Sequence, residues 1–560
     1  MQSAVHHART FGAKQKKIAL LIVAMAFVMD LLDSTIVNVA IPSIQANLGA
    51  SYANIQWLVA GYSLTFALLL ITGGRMGDVF GYKKIFMVGV AGFTVASLLT
   101  GIAPTPLFLI IARLLQGTMA ALMVPQVMSL MQVIYEPKER AQVMGMFGML
   151  GGLAASLGPI VGGLLIKANI FNWDWRPIFL INLPVGIFAL IAGYKYLPDG
   201  KSEHPLHVDI KGTLLIVVAL SLLIFPLIEG RELDWPLWSI MLLALSVPAI
   251  GVFGWYELRK DRRDHSALIV PALFKVRTFV SGLSLNIIVE SIMVGYFLTS
   301  TLVLQIGLGY SAIHAALTAI PTAVGMTIGF AALGQKLISK FGRSVIPMAS
   351  AVFALGLVAT TWIITHYGLD AHSWQFIPGF LISGIGLSLI MIPIFSAALQ
   401  DVDVAHAGSA SGILNAVQQV GAAIGIAIIG VIFFSQLAHS SYRSFDDIAP
   451  KLKTELAVAG VPGEMSTAIV AQTRTCFHDR NTEKDNSVVP ESCKQALASA
   501  PNDQAAQRVG AIVSNSALQA NARNFASAFR ASVIYVILLL VVISALSLTL
   551  PRKFKMAEGH

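Results

Sequence analysis

Apolar runs of about twenty residues recur along the whole chain, separated mostly by short polar segments in which Gly, Pro, Lys and Arg gather. A helix crossing a bilayer needs about 20 mostly apolar residues, so each run predicts a span. The runs lie near 19–40, 54–73, 84–103, 106–130, 142–166, 177–196, 210–229, 237–257, 278–303, 311–333, 344–365, 374–398, 407–435 and 531–551, fourteen in all. The first is no signal peptide: it is too long, lacks a small-residue cleavage site and leads directly into further spans. The pattern predicts an all-α integral membrane fold.

Composition sharpens this by exclusion. Of the 560 residues 56% are hydrophobic and only 12% charged, with a mean hydropathy of +0.74. Soluble domains carry about 25% charged residues, so a water-soluble enzyme is excluded. Disordered chains and nucleic-acid binders need abundant charge and are excluded with it. The net charge of +9 matters less than where the charges sit. Segments sharing a side with the N-terminus hold twenty-four Lys and Arg, including Lys83, Lys84, Arg262, Arg263 and Arg343. The short loops of the other side hold three: Lys167, Arg176 and Arg231. The positive-inside rule then predicts cytoplasmic termini.

The long segment 436–529 is polar and of mixed charge, and a long loop translocates regardless of its charge. It carries both cysteines, Cys476 and Cys493. Outside the cytoplasm a disulfide persists, which favours a bridge, with two unpaired thiols as the alternative.

An internal repeat organises the spans. GRMGDVFGYKK begins at Gly74 and GQKLISKFGRS at Gly334, an offset of 260 that Asp30 and Glu290 share. Transporters are often built from such repeats. The expected layout is a cytoplasmic N-terminus (1–18), a six-helix bundle (19–200) and two inserted helices (201–260). Five helices of a second bundle (261–435), an extracytoplasmic loop (436–529) and a last helix with a cytoplasmic tail (530–560) follow.

Asp30, Asp33, Arg113 and Glu290 lie well inside apolar runs. Intramembrane charges are costly, face a bundle interior or water cavity, and mark function by default. Asp30 and Asp33 are three apart and share a helix face, which Ser34 and Asn38 extend. Asp33 and Arg113 each sit about seven residues from the outer end of their spans, so an ion pair is geometrically open to them. A carboxylate under opposing influences of burial and a cation suits proton coupling. The plainer alternatives are a clamp on backbone carbonyls for Arg113 and a polar helix contact for Asp30.

These motifs resemble the fourteen-helix drug:proton antiporter branch (EmrB/QacA type) of the major facilitator superfamily. LDSTIVNVAIP (32–42) looks like the branch signature, with its acidic residue at Asp33. GRMGDVFGYKK (74–84) is similar to the superfamily loop motif, RLLQGTMAALMVP (113–125) to the span-four pattern and LGPIVGG (157–163) to the antiporter motif of span five. WRPIFLINLPVG (175–186) and AGSASGILNAVQQVGAAIG (407–425) are typical of the branch. Val79 and Tyr82 depart from it, standing where the loop motif usually has basic residues, and Ala154 stands where span five often has Gly.

The resemblance implies a major facilitator fold, two six-helix bundles plus two inserted helices, in a bacterial plasma (inner) membrane. It implies proton coupling at Asp33, Arg113 and Asp30, and a substrate cavity of Asp30, Asp33, Asn38, Gln116 and Glu290. Gly74, Asp78, Gly81, Lys83 and Lys84 would form the gating loop, and Gly158, Pro159, Gly162 and Gly163 the antiporter motif. No cofactor or metal is expected, the proton gradient supplying the energy. Partners would be protons and small lipophilic cations, with a periplasmic adaptor as a further candidate and the chain working as a monomer. The rival within transport is a proton-coupled exporter of one metabolite: a siderophore, an amino acid or a natural product. ATP-driven export is excluded because Lys195 stands where the first Gly of the phosphate loop ending at Gly200-Lys201-Ser202 belongs. The chain lacks an HExxH motif, and no span pairs histidines at helical spacing, which excludes a zinc enzyme. A sensor would need an appended signalling domain.

Overall fold

The computed structural model describes residues 12–135, 147, 150, 154, 157–200, 209–233, 235–264, 267–268, 271–402, 407–483, 490–498 and 504–552. Most of the first half of span five lies outside them, as do the termini and the segment 201–208. Among these residues twelve helices are long and apolar enough to cross a membrane, and two shorter apolar helices stand at the places of spans five and ten.

The first half is built from α1 (Ala13–Leu48), α2 (Tyr52–Phe80), α3 (Tyr82–Gly101), α4 (Pro106–Ile134), α5 (Leu157–Ala168) and α6 (Pro177–Tyr196). Short polar connections start these helices. Ser51 accepts from the Asn54 N–H and Thr105 from the Phe108 N–H, with Pro106 as the first residue of α4. The turn between α2 and α3 is reduced to Gly81, whose φ of 101° suits a residue without Cβ. The inserted pair is α7 (Ile210–Glu232) and α8 (Leu237–Asp264).

The second half comprises α9 (Arg277–Leu302), α10 (Ala312–Ile328), α11 (Val345–Tyr367), α12 (Ser373–Leu399) and α13 (Ala407–Asp446). It closes with α17 (Gln504–Leu546), which three shorter helices precede: α14 (Ala449–Val458), α15 (Gly463–Thr482) and α16 (Glu491–Ala498). The helices wind back and forth between the face that holds both chain ends and the opposite, far face. The ends of the first and last helices are held there: the Arg343 guanidinium donates to the Leu548 and Leu550 carbonyls, and the Tyr135 hydroxyl to the Lys16 carbonyl.

The halves touch where small residues permit it. A Cβ on Gly163 of α5 would lie 2.8 Å from Cα of Ile313 in α10, and one on Gly430 of α13 would lie 1.9 Å from Nε2 of Gln56 in α2. Without a strong hydrophobic drive between helices in lipid, such close backbone approach is how helices associate. Gly158 and Gly162 bring α5 equally close to Thr35 and Ile36 of α1. The inserted α7 lies against both α2 and α13. Trp57 of α2 donates to Glu229 of α7 at 2.8 Å, and Thr72 and Thr213 bond at 2.8 Å nearer the terminal face.

The 436–529 segment is more structured than its polar character predicts. Helix α13 runs on to Asp446, and α17 begins at Gln504, well before the expected 531. Phe445, Ile448, Leu452, Leu456, Val470 and Phe477 build a core of their own there. These helices are apolar on their inner faces only, so no continuous apolar run marks them in the sequence. Arg474 grips Asp446 through two hydrogen bonds of 2.5 and 2.8 Å, and the Tyr442 and His478 rings stack 3.6 Å apart. A disulfide joins Cys476 of α15 to Cys493 of α16, their Cα atoms 4.6 Å apart. This folded cap sits on the far face.

Candidate functional site in the first half

Asp33 and Arg113 form a buried ion pair. The sequence places Asp33 mid-way along α1 and Arg113 two turns into α4, and both side chains are shut off from solvent. Arg113 Nη1 donates to Asp33 Oδ2 at 2.5 Å. The other carboxylate oxygen accepts from Gln116 Nε2 at 2.9 Å and from Asn182 Nδ2 at 2.8 Å. Both amides also donate to the Ser97 hydroxyl, at 2.9 and 3.2 Å. Gln116 Oε1 in turn accepts from Arg113 at 2.9 Å. Four helices, α1, α3, α4 and α6, thus converge on one carboxylate.

Arg113 also donates through Nε to the Leu58 carbonyl at 3.2 Å, so it clamps backbone and pairs with Asp33 at once. Its guanidinium lies 4.3 Å from the Tyr62 ring centre and 5.6 Å from that of Phe179. Aromatic faces hold a desolvated cation in this way. The Tyr62 hydroxyl donates to Asp30, which links the second aspartate to the same cluster.

Other expected residues stand apart. Asn38 donates to the Thr35 carbonyl at 3.4 Å, while its buried Oδ1 accepts no hydrogen bond. Glu290 is buried in α9 and accepts from Gln418 Nε2 at 3.0 Å. Among the described residues no hydrogen bond or ion pair joins Glu290 to Asp30, Asp33 or Arg113. Each half therefore holds its own buried acid. Asn182, Ser97 and Tyr62 were missed as site residues. Asn182 lies in the 175–186 stretch and Gln418 in the 407–425 stretch, both singled out as motifs without a role for these side chains. Tyr62 carried no signal in the sequence.

At the terminal face the loop motif is arranged around its departures. Tyr82 donates to Asp78 at 3.0 Å, filling the place of a basic residue with a neutral donor. Burial raises the Asp78 pKa above the usual carboxylate value, against the opposing effects of Tyr82 and Arg75. Arg75 donates to the Ala267 and Leu268 carbonyls, tying the motif to the segment that leads into the second half. Lys83, largely buried, lies 3.8 Å from the exposed Asp199. Gly74 meets Pro125 at ordinary contact distance, and Lys84 is exposed. Pro159 sits half-buried between Gly158 and Ile160.

A model of the family described as Major Facilitator Superfamily matches residues 23–426. The chain belongs to that superfamily. This superfamily member is 39% identical over 541 residues to the probable actinorhodin transporter of Streptomyces coelicolor, covering 97% of this chain and 93% of the relative. It is 32% identical to the tetracenomycin C resistance and export protein of Streptomyces glaucescens, over 75% of this chain and 76% of the relative. With the methylenomycin A resistance protein of Bacillus subtilis it shares 31%, over 74% and 86%. Its fold is that of a bacterial homolog to the human lysosomal transporter Spinster in an inward-facing conformation, at 15% identity and a TM-score of 0.58, covering 96% and 98% of the two chains. A D-xylose-proton symporter matches at 15% and 0.51, over 74% and 90%. The protein is a multi-span membrane transporter of the superfamily and not an enzyme.

Proposed function

We propose that this protein is a proton-coupled antiporter that exports a small, lipophilic, cationic natural product or antibiotic by alternating access. It would act as a monomer in the bacterial inner membrane, with both termini cytoplasmic and the cap outside. The observation that carries the reading is the buried Asp33–Arg113 pair with its ring of amide donors. The names of the relatives, which speak of transport, resistance and export, support the direction of transport.

The pair supplies a reason for coupling. A proton on Asp33 removes the charge that balances Arg113 and turns an acceptor oxygen into a donor. Leaving one partner of a buried pair uncompensated costs about 3–5 kcal/mol. Protonation from outside therefore favours a rearranged, outward-releasing state, and deprotonation toward the cytoplasm restores the pair. Asp30, held by Tyr62, would attract the cationic substrate from the same half, and Glu290 from the other. Differential stability of the two facing states toward proton and substrate is what links the two fluxes.

The test is pH-driven export of ethidium in proteoliposomes. Asp33→Asn should insert and fold yet lose gradient-driven transport, and Glu290→Gln should chiefly weaken cation affinity. Uphill transport by Asp33→Asn with an unchanged pH dependence would overturn the assignment. A second reading, a dedicated exporter of one natural product, draws support from the 39% relative, which is named for a single compound and matches nearly end to end. A panel of unrelated cations separates the two: competition by many favours broad export, by one scaffold the dedicated role.

A further inference from the structure

The far face holds a polar cavity of about 950 Å³ between the ends of α11, α13 and α17, beneath the cap. It lies outside the proton-coupling cluster, and transport as proposed above makes no use of it. Its walls carry Gln436, His439 and Arg443 on one face of α13, Asp447 just past its end and Lys451 on α14, facing Asn515, Gln519, Arg523 and Arg530 of α17.

The charges do not balance. Four cations, Arg443, Lys451, Arg523 and Arg530, face two lining carboxylates, Asp370 and Asp447, and Lys451 also lies 3.9 Å from Glu455. Arg523 lies 3.7 Å from Asp447, both half-exposed, and Lys451 donates to the Gln519 side chain at 3.1 Å. Among the described residues Arg443 and Arg530 have no carboxylate within 4 Å. Two guanidinium forks without a partner, in one concave site, match the oxygens of a tetrahedral anion.

Depth identifies where such an anion is plentiful. Arg530 immediately precedes the apolar run 531–551 of α17. About twenty residues at 1.5 Å each span roughly 30 Å, the thickness of the hydrocarbon core, which puts Arg530 at the level of the lipid headgroups. Directly below it on the same helix face, Ile534, Leu538 and Val541 are exposed and offer an apolar track for an acyl chain.

We propose that this cavity binds a phosphate-bearing anion, held between Arg443 and Arg530, with the headgroup of an acidic phospholipid as the source its depth favours. The experiment uses the delipidated full-length protein and the variant Arg443→Gln/Arg530→Gln. Native mass spectrometry reads binding of phosphatidylglycerol against phosphatidylcholine of the same chains, and thermal shift reads inorganic phosphate. The wild type should prefer phosphatidylglycerol by about tenfold and the variant should lose that preference. A phosphate-induced rise in Tm that the variant abolishes, without lipid preference, keeps the site and assigns it to soluble phosphate. Equal behaviour of wild type and variant toward both probes overturns the proposal. Should the double variant aggregate, Arg443→Lys/Arg530→Lys decides: it keeps the charge but not the forks, and undiminished binding of both probes then counts against the site.

Discussion

Asp33 takes three side-chain donors, and they come from three residue types that respond differently to its charge. Arg113 balances that charge, whereas Gln116 and Asn182 orient the carboxylate. Removing one neutral donor to a charged group costs about 1.5–3 kcal/mol. Asn182→Ala should therefore fold and insert but slow proton-driven transport by about tenfold or more, with a displaced pH profile. Transport assays across a pH series check this, and an unchanged profile would reduce Asn182 to packing. Legibility at this scale was uneven. Asp33 and Arg113 stood out because a charge inside an apolar run is visible without a fold. Asn182, Ser97 and Tyr62 did not, because neutral polar residues are common in membrane helices and only convergence gives them a partner.

At the scale of the element, α5 shows why glycines recur where helices of the two halves meet. At Gly163 the neighbour is backbone of α10, which cannot rotate away as a side chain does. Gly163→Leu should hold α5 and α10 apart on the far face, leaving insertion intact while transport falls by an order of magnitude. Labelling of a cysteine placed at Ile313 by an impermeant reagent should rise in that variant; unchanged labelling would mean that the interface absorbs the side chain. The cap makes a different prediction. The Cys476–Cys493 bridge closes a loop of 17 residues' separation, which in the chain-entropy model stabilises by about 3 kcal/mol. Mild reduction should speed hydrogen exchange across α15 and α16 while leaving the spans protected.

For the whole molecule, the asymmetry of Lys and Arg predicts the orientation. Cysteines introduced at the 258–277 segment should be protected from impermeant reagents in intact cells, and ones in the 436–529 segment should react. The reverse pattern would invert the direction proposed for transport. Helix α7 touches both halves, so Trp57–Glu229 and Thr72–Thr213 couple it to α2 at two depths.

What the chain order alone determined is whatever depends on local composition. Apolar length sets the spans, since a bilayer of fixed thickness demands it, and stray charges mark the buried acids. The cysteines could be named as partners, but their 4.6 Å Cα separation is a product of how α15 and α16 pack. Tertiary structure alone decided which donors surround Asp33, that Glu290 keeps to its own half with Gln418, and that 436–529 folds on a core of its own. Each of these rests on side chains far apart in sequence, such as the 149 positions between Asn182 and Asp33. Hydrogen bonds are short-ranged and directional, so no run of neighbouring residues encodes them; they exist once helices α1, α3, α4 and α6 are brought within reach.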